Sequence, residues 1–133
     1  MDSYAIELMQ SLLQFQKAGY LCDTVVSVAG GELTAHSAVL AAASQVFNKA
    51  FKANPSAKER KVIMSGVELS VAEVILEYMY TGKFDWDVHR SHVKKLQQAI
   101  VDFGIKLHIV TQDRWVVGFY LMASTLWIDM LKI

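Results

Sequence analysis

One cysteine, one proline and no net charge are all that 133 residues offer of three common functional signals. A lone cysteine, Cys22, cannot close an internal disulfide, and structural zinc sites draw on several Cys and His, so the chain reads as one from a reducing compartment. Lys plus Arg and Asp plus Glu number 13 each, which gives no overall pull toward nucleic acid or acidic lipid. No basic stretch precedes an apolar core at the N-terminus, so a secretory signal is not expected. No period of 20 to 50 residues recurs, which argues against a solenoid or propeller. The stretch from 115 to 128 lacks charge but is shorter than a membrane span, which takes about 18 residues or more. Hydrophobic residues make up 53%, a little above the usual share, and the surplus points to an interface. The length suits one domain, able to bury roughly two thirds of the surface its unfolded form exposes.

What the chain does have is concentrated in residues 21 to 44, LCDTVVSVAGGELTAHSAVLAAAS. Val25, Val26 and Val28 fit a half-buried strand, Ala29, Gly30 and Gly31 turn the chain, and residues 32 to 35 return as a second strand. After His36 the alanine and leucine run predicts a helix. Upstream, Ala5, Leu8, Met9, Leu12 and Phe15 recur at helical spacing, with Asp2 or Ser3 as cap and Gly19 as stop. Downstream, Pro55 with Asn54 and Ser56 predicts a loop over 52 to 60, followed by a short strand over 61 to 64. Ser70 and Glu73 stand at capping-box spacing before a helix whose Val71, Val74, Ile75 and Tyr78 share a side and which Gly82 ends. A further helix carries Val93, Leu96, Ile100 and Phe103 inward, turns Lys94, Lys95, Gln97 and Gln98 outward, and closes at Gly104. Residues 106 to 117 can form another helix.

Several candidate chemistries fail on spacing. Asp23, His36, Ser37 and Ser44 include the residue types of a hydrolytic triad, but no nucleophile elbow or glycine-rich oxyanion turn surrounds them. His89 and His92 could share a helical face, yet two ligands are too few for a metal site. Asp23 beside Cys22 raises a thiol pKa and argues against a reactive thiolate. Gly30 and Gly31 lack the rest of a phosphate loop. Lys58, Arg60 and Lys61 are interrupted by Glu59 and interleaved with no aromatic, which favours a solvated loop over nucleic-acid contact. No catalytic residue, cofactor or metal is therefore expected.

The strand with its CD start, the glycine hairpin, the run AHSAVLAAAS, the following QVFNKAF and YMYTGKF at 78 to 84 together resemble a BTB/POZ domain over about residues 4 to 110. The resemblance implies an α+β fold: a small mixed sheet flanked by a cluster of α-helices, with an extra N-terminal dimerisation helix. Residues 1–20 would be that helix, 21–117 the core, and 118–133 a divergent apolar tail. The tail has three readings: a packed terminal helix, favoured on length over a tail anchor, and an altered terminus. The implied signature positions are Asp23, His36, Ser44, Tyr80 and Gly82, with Asp23 and His36 anchoring the hairpin to the next helix and satisfying each other. Leu8, Leu12 and Phe15 would form a two-fold homodimer interface. The implied function is that of a self-associating, non-enzymatic adaptor of kelch-like type that holds a cullin-type ubiquitin ligase, with Phe51, Asn54, Pro55 and Tyr80 as the partner surface. The alternative is the dimerisation and corepressor-recruiting module of a zinc-finger transcription regulator, a full-length relative being a further pairing partner. Either role places the protein in the cytoplasm or nucleus with no membrane and no direct nucleic-acid contact. Two positions depart from the family pattern: Pro55, Ser56 and Ala57 replace a hydrophobic-x-Glu motif, and Ser37 replaces a basic residue.

Overall fold

The computed structural model describes residues 3–85 and 90–106. The chain opens with helix α1, Ser3–Ala18, followed by β1, Thr24–Ala29, and β2, Gly31–Ala35. Helices α2, Ser37–Ala43, and α3, Gln45–Ala53, lead to β3, Arg60–Glu68. Then come α4, Leu69–Thr81, a 3-10 turn, Arg90–His92, and α5, Val93–Asp102.

The valine run and the glycine turn build the sheet as expected. β1 pairs antiparallel with β2, and Val28 opposite Gly31 leaves Ala29 and Gly30 at the turn. Gly30 has φ 90°, a conformation that side chains with a Cβ resist. β3 lies parallel to β1 on its other side, which gives the order β2-β1-β3 and a mixed α+β fold. A parallel neighbour requires a crossover, and here α2 and α3 supply it.

Helix α4 is the centre of the molecule. Its Val71, Ala72, Val74, Ile75, Leu76, Tyr78, Met79 and Tyr80 are all buried, so it is apolar on nearly every side, not on the single side its spacing suggests. Leu40 of α2, Phe47 of α3, Val26 of β1 and Met64 of β3 join Ile75 and Leu76 in one cluster. Each such side chain contributes about 1.5–3 kcal/mol by leaving water. Gly82 ends α4 in the left-handed region, φ 70°, and its amide donates to the Tyr78 carbonyl at 2.7 Å.

Ser44 explains why two short helices meet at a sharp corner. Its side chain is fully buried, accepts the Phe47 amide at 3.1 Å as the cap of α3, and donates to the Phe103 carbonyl at 2.5 Å. The Gln45 amide reaches Gly104 and the Lys106 amide reaches Ala43, so the far end of α5 is tied to the same corner.

Four local expectations need correction. The capping box does not form: Glu68, in extended backbone, is the cap of α4 without a side-chain bond, and Ser70 lies inside the helix. The loop is shorter than expected, since α3 continues to Ala53 and β3 starts at Arg60 and runs to Glu68. Gln97 is buried on α5 instead of facing away. On α1 the inward residues are Leu13 and Gln16, with Ile6 and Met9 half-buried. Leu8, Met9, Leu12 and Phe15 therefore do not share one face. The expected helix over 106 to 117, the tail 118–133, the uncharged stretch 115–128 and His89 lie outside the described residues.

Candidate interaction surface

Helix α1 carries two apolar stripes. The inner one rests on α4 and β2, where the Gln16 side-chain amide donates to the Thr34 carbonyl at 2.9 Å. That bond gives the buried amide a partner. Roughly 100° around the helix, Tyr4, Leu8, Leu12 and Phe15 form a second stripe at spacings of three and four. Tyr4 is 67% exposed, Leu8 49% and Phe15 36%, and Leu12 is half-buried between the stripes. Tyr20, 54% exposed, and Leu21, 69% exposed, extend the patch past the helix end. The Phe15 and Tyr20 rings meet edge to face, centroids 4.9 Å apart. Tyr4, Tyr20 and Leu21 were not among the expected interface residues. For Tyr4 the signal was present as the i, i+4 step to Leu8, whereas Tyr20 and Leu21 follow the helix and carry no periodicity.

The link from α1 to β1 is held by a polar knot. The Tyr80 hydroxyl, on a side chain buried within α4, accepts the His36 backbone amide at 2.9 Å and lies 2.6 Å from His36 Nδ1. His36 Nε2 is 2.9 Å from the Tyr20 carbonyl, which can only accept. Nε2 therefore carries the proton, and in the neutral ring Nδ1 accepts from Tyr80. Burial pushes the Tyr80 phenol up to about 12 against the His36 amide bond, which favours the anion, so the hydroxyl keeps its proton at neutral pH. Leu21, at φ 57°, is the one described non-glycine residue in the left-handed region, and it sits in this link.

Asp23 and His36 do not satisfy each other as expected. The Asp23 carboxylate instead accepts the Ser37 amide at 2.7 Å, the Ser37 hydroxyl at 2.5 Å and the Thr24 hydroxyl at 3.1 Å. It thus caps α2 from the start of β1, while the His36 side chain makes no cap bond. Burial opposes its charge, but the Ser37 and Thr24 bonds outweigh that and hold its carboxyl below the ordinary aspartate value. The Ser37 hydroxyl donates to a carboxylate and both His36 nitrogens are engaged by Tyr80 and Tyr20, so no imidazole is placed to activate a serine among these residues. Burial, and then Asp23 against the opposing Thr34 bond, raise the Cys22 thiol, whose Sγ lies 3.7 Å from His36 Nε2. Among the described residues no group of three His, Cys, Asp or Glu is placed to hold a metal, and no helix is long and apolar enough to cross a membrane.

The expected partner surface is divided. Asn54 and Pro55 are exposed, and Phe51 is half-buried beneath Arg60, whose guanidinium lies 5.4 Å from the ring centroid. The same guanidinium donates to the Asn54 carbonyl at 3.4 Å and the Pro55 carbonyl at 3.2 Å, a clamp that no sequence motif announces. Tyr80 does not belong to this surface: it is 1% exposed because its hydroxyl serves His36 inside the molecule.

Known proteins share the fold. The family model described as BTB/POZ domain matches residues 12–111. The zinc finger and BTB domain-containing protein 42 of Rattus norvegicus is 32% identical over 84 residues, 62% of this chain and 20% of that protein. Kelch-like protein 24 of Homo sapiens is 32% identical over 83 residues, 62% of this chain and 14% of that protein. The chain thus spans a fifth or less of the length of these curated relatives. Among solved structures, the BTB domain of zebrafish PATZ1 superposes with a TM-score of 0.68 at 22% identity, covering 96% of this chain and 95% of that one.

The lowered Asp23 pKa fixes the sign of a pH effect. Its contribution to stability is complete above the ordinary value of 3.8 and is lost as pH falls through the lower folded-state value. Urea unfolding should find Asp23→Ala less stable by about 1 kcal/mol at pH 7, a typical cost of losing a helix cap. That gap should shrink as the pH is taken below 4, toward 2. A gap constant from pH 7 to pH 2 would mean the charge plays no part.

Proposed function

The chain belongs to the BTB/POZ family, and on that premise we propose that it is a non-enzymatic protein-interaction module which first pairs with a second copy of itself. The exposed stripe of Tyr4, Leu8 and Phe15 on α1, continued by Tyr20 and Leu21, carries this reading. An apolar helix face with a separate inner stripe already satisfied by α4 and β2 is suited to a two-fold interface, where each residue meets its own symmetry mate's neighbourhood. Leu12 adds to the same face from its half-buried position.

The pair would then present two copies of whatever each subunit holds, which raises effective concentration without new contacts. Kelch-like and zinc-finger relatives match equally well in identity, so both an adaptor role and a corepressor-recruiting role are consistent with the family. Of the two we favour the adaptor for a cullin-type ubiquitin ligase, acting in the cytoplasm or nucleus through the exposed corner at Asn54 and Pro55. The exposed clamp that Arg60 makes across that corner supports it, because it holds the loop in one shape before a partner arrives.

Sedimentation velocity across a range of concentrations should give a dimer. Leu8→Asp, which places a charge in the stripe at an exposed position, should give a monomer with unchanged circular dichroism. A monomeric parent chain at high concentration would refute self-association. For the adaptor role, a cullin N-terminal domain should be retained by the immobilised protein and lost on Pro55→Glu. No binding at tens of micromolar would favour the corepressor role instead.

A further inference from the structure

The net charge of zero conceals an uneven distribution. Between positions 52 and 61, Lys52, Lys58, Arg60 and Lys61 face one acid, Glu59, a local excess of three positive charges in ten residues. Lys52, Lys58 and Lys61 are all exposed, and among the described residues none of them has a carboxylate within salt-bridge distance. Arg60 is fixed over Phe51 and the loop carbonyls, so its charge stays at the corner.

This corner opens onto an unusual strand. In β3 the side chains alternate, with Val62 and Met64 buried and Lys61, Ile63 and Ser65 turned to solvent. Ile63 is 64% exposed, on the same side of the strand as Lys61 and two residues along. β3 is also the edge of the sheet: its inner side pairs with β1, and among the described residues no strand pairs with its outer side. Lysine on an edge strand guards against unwanted pairing with another edge. An exposed isoleucine beside it does the reverse, by leaving apolar surface on the same edge.

We propose that the outer side of β3 is a docking site for an extended, acidic segment of a partner protein, its carboxylates meeting Lys58 and Lys61 and an apolar residue covering Ile63. The segment adds along the free edge, where backbone bonds give affinity and the alternating side chains give selectivity. A spacing of two between its acidic and apolar residues follows from the spacing of Lys61 and Ile63. The inference rests on the reading of the chain as an interaction module, but it uses a face separate from α1.

The probe is a fluorescein-labelled decapeptide that repeats Glu-Thr-Val-Thr, so that glutamate and valine recur two residues apart on one face, followed by anisotropy with the full chain. Binding should weaken several-fold between 50 mM and 300 mM salt, as expected for charges at a protein surface. Lys58→Glu with Lys61→Glu should weaken it about tenfold or more, and Ile63→Ser several-fold. Lys94→Glu, an exposed change on α5, should leave binding unchanged. A lysine–valine peptide should not bind. Equal binding by all the variants, or equally tight binding by a single-stranded oligonucleotide of the same charge, would overturn the proposal. Leu8→Asp separates the two readings: it should abolish pairing of the chain with itself and leave peptide binding intact, while the lysine double variant should do the opposite.

Discussion

The link from α1 into the sheet is organised around one buried hydroxyl. Tyr80 sits on the central helix with almost no exposure, and its oxygen holds both the amide and the ring of His36. The other side of that ring holds the Tyr20 carbonyl in the link between α1 and β1. Three segments far apart in sequence are therefore joined through a single imidazole. A buried hydroxyl without partners would cost about 1–3 kcal/mol, and the His36 amide and ring supply two here. Asp23, bonded to the first residue of α2, closes the same corner from the strand side.

The consequence is a division of labour between faces. With its link fixed, α1 lays Leu13 and Gln16 against the core and leaves Tyr4, Leu8 and Phe15 outside. The start of α3 is fixed by Ser44 from inside, and its end by the Arg60 clamp outside, next to Asp23, whose backbone carbonyl accepts the Arg60 amide at 3.1 Å. Neither corner requires a titrating catalytic group, and the thiol and phenol nearest the knot are both pushed toward their protonated forms.

Much of the fold was legible because it is written in local signals. Alternating valines, the hairpin glycine, the alanine-rich α2 and the glycine that ends α4 each act within a few residues. The α1 helix is equally plain, but period alone does not say which of two adjacent stripes meets the core. Contacts between distant residues were harder. The family resemblance marks Asp23 and His36 as anchors, yet sequence offers no sign that the histidine's partner is Tyr80, 44 positions away. The burial of Tyr80, which removes it from the partner surface, and the stacking of Arg60 on Phe51 have the same origin: both are products of the tertiary arrangement and leave no pattern along the chain.

The most direct test of this account is the tautomer of His36. Long-range nitrogen–proton correlation spectra of the imidazole at pH 8 should show the proton on Nε2 and a non-protonated Nδ1, because a carbonyl faces the first and the Tyr80 hydroxyl the second. Tyr80→Phe should release that preference. A proton on Nδ1 in the parent chain, or a ring exchanging freely between both forms, would contradict the claim that this histidine joins α1, the hairpin and the central helix.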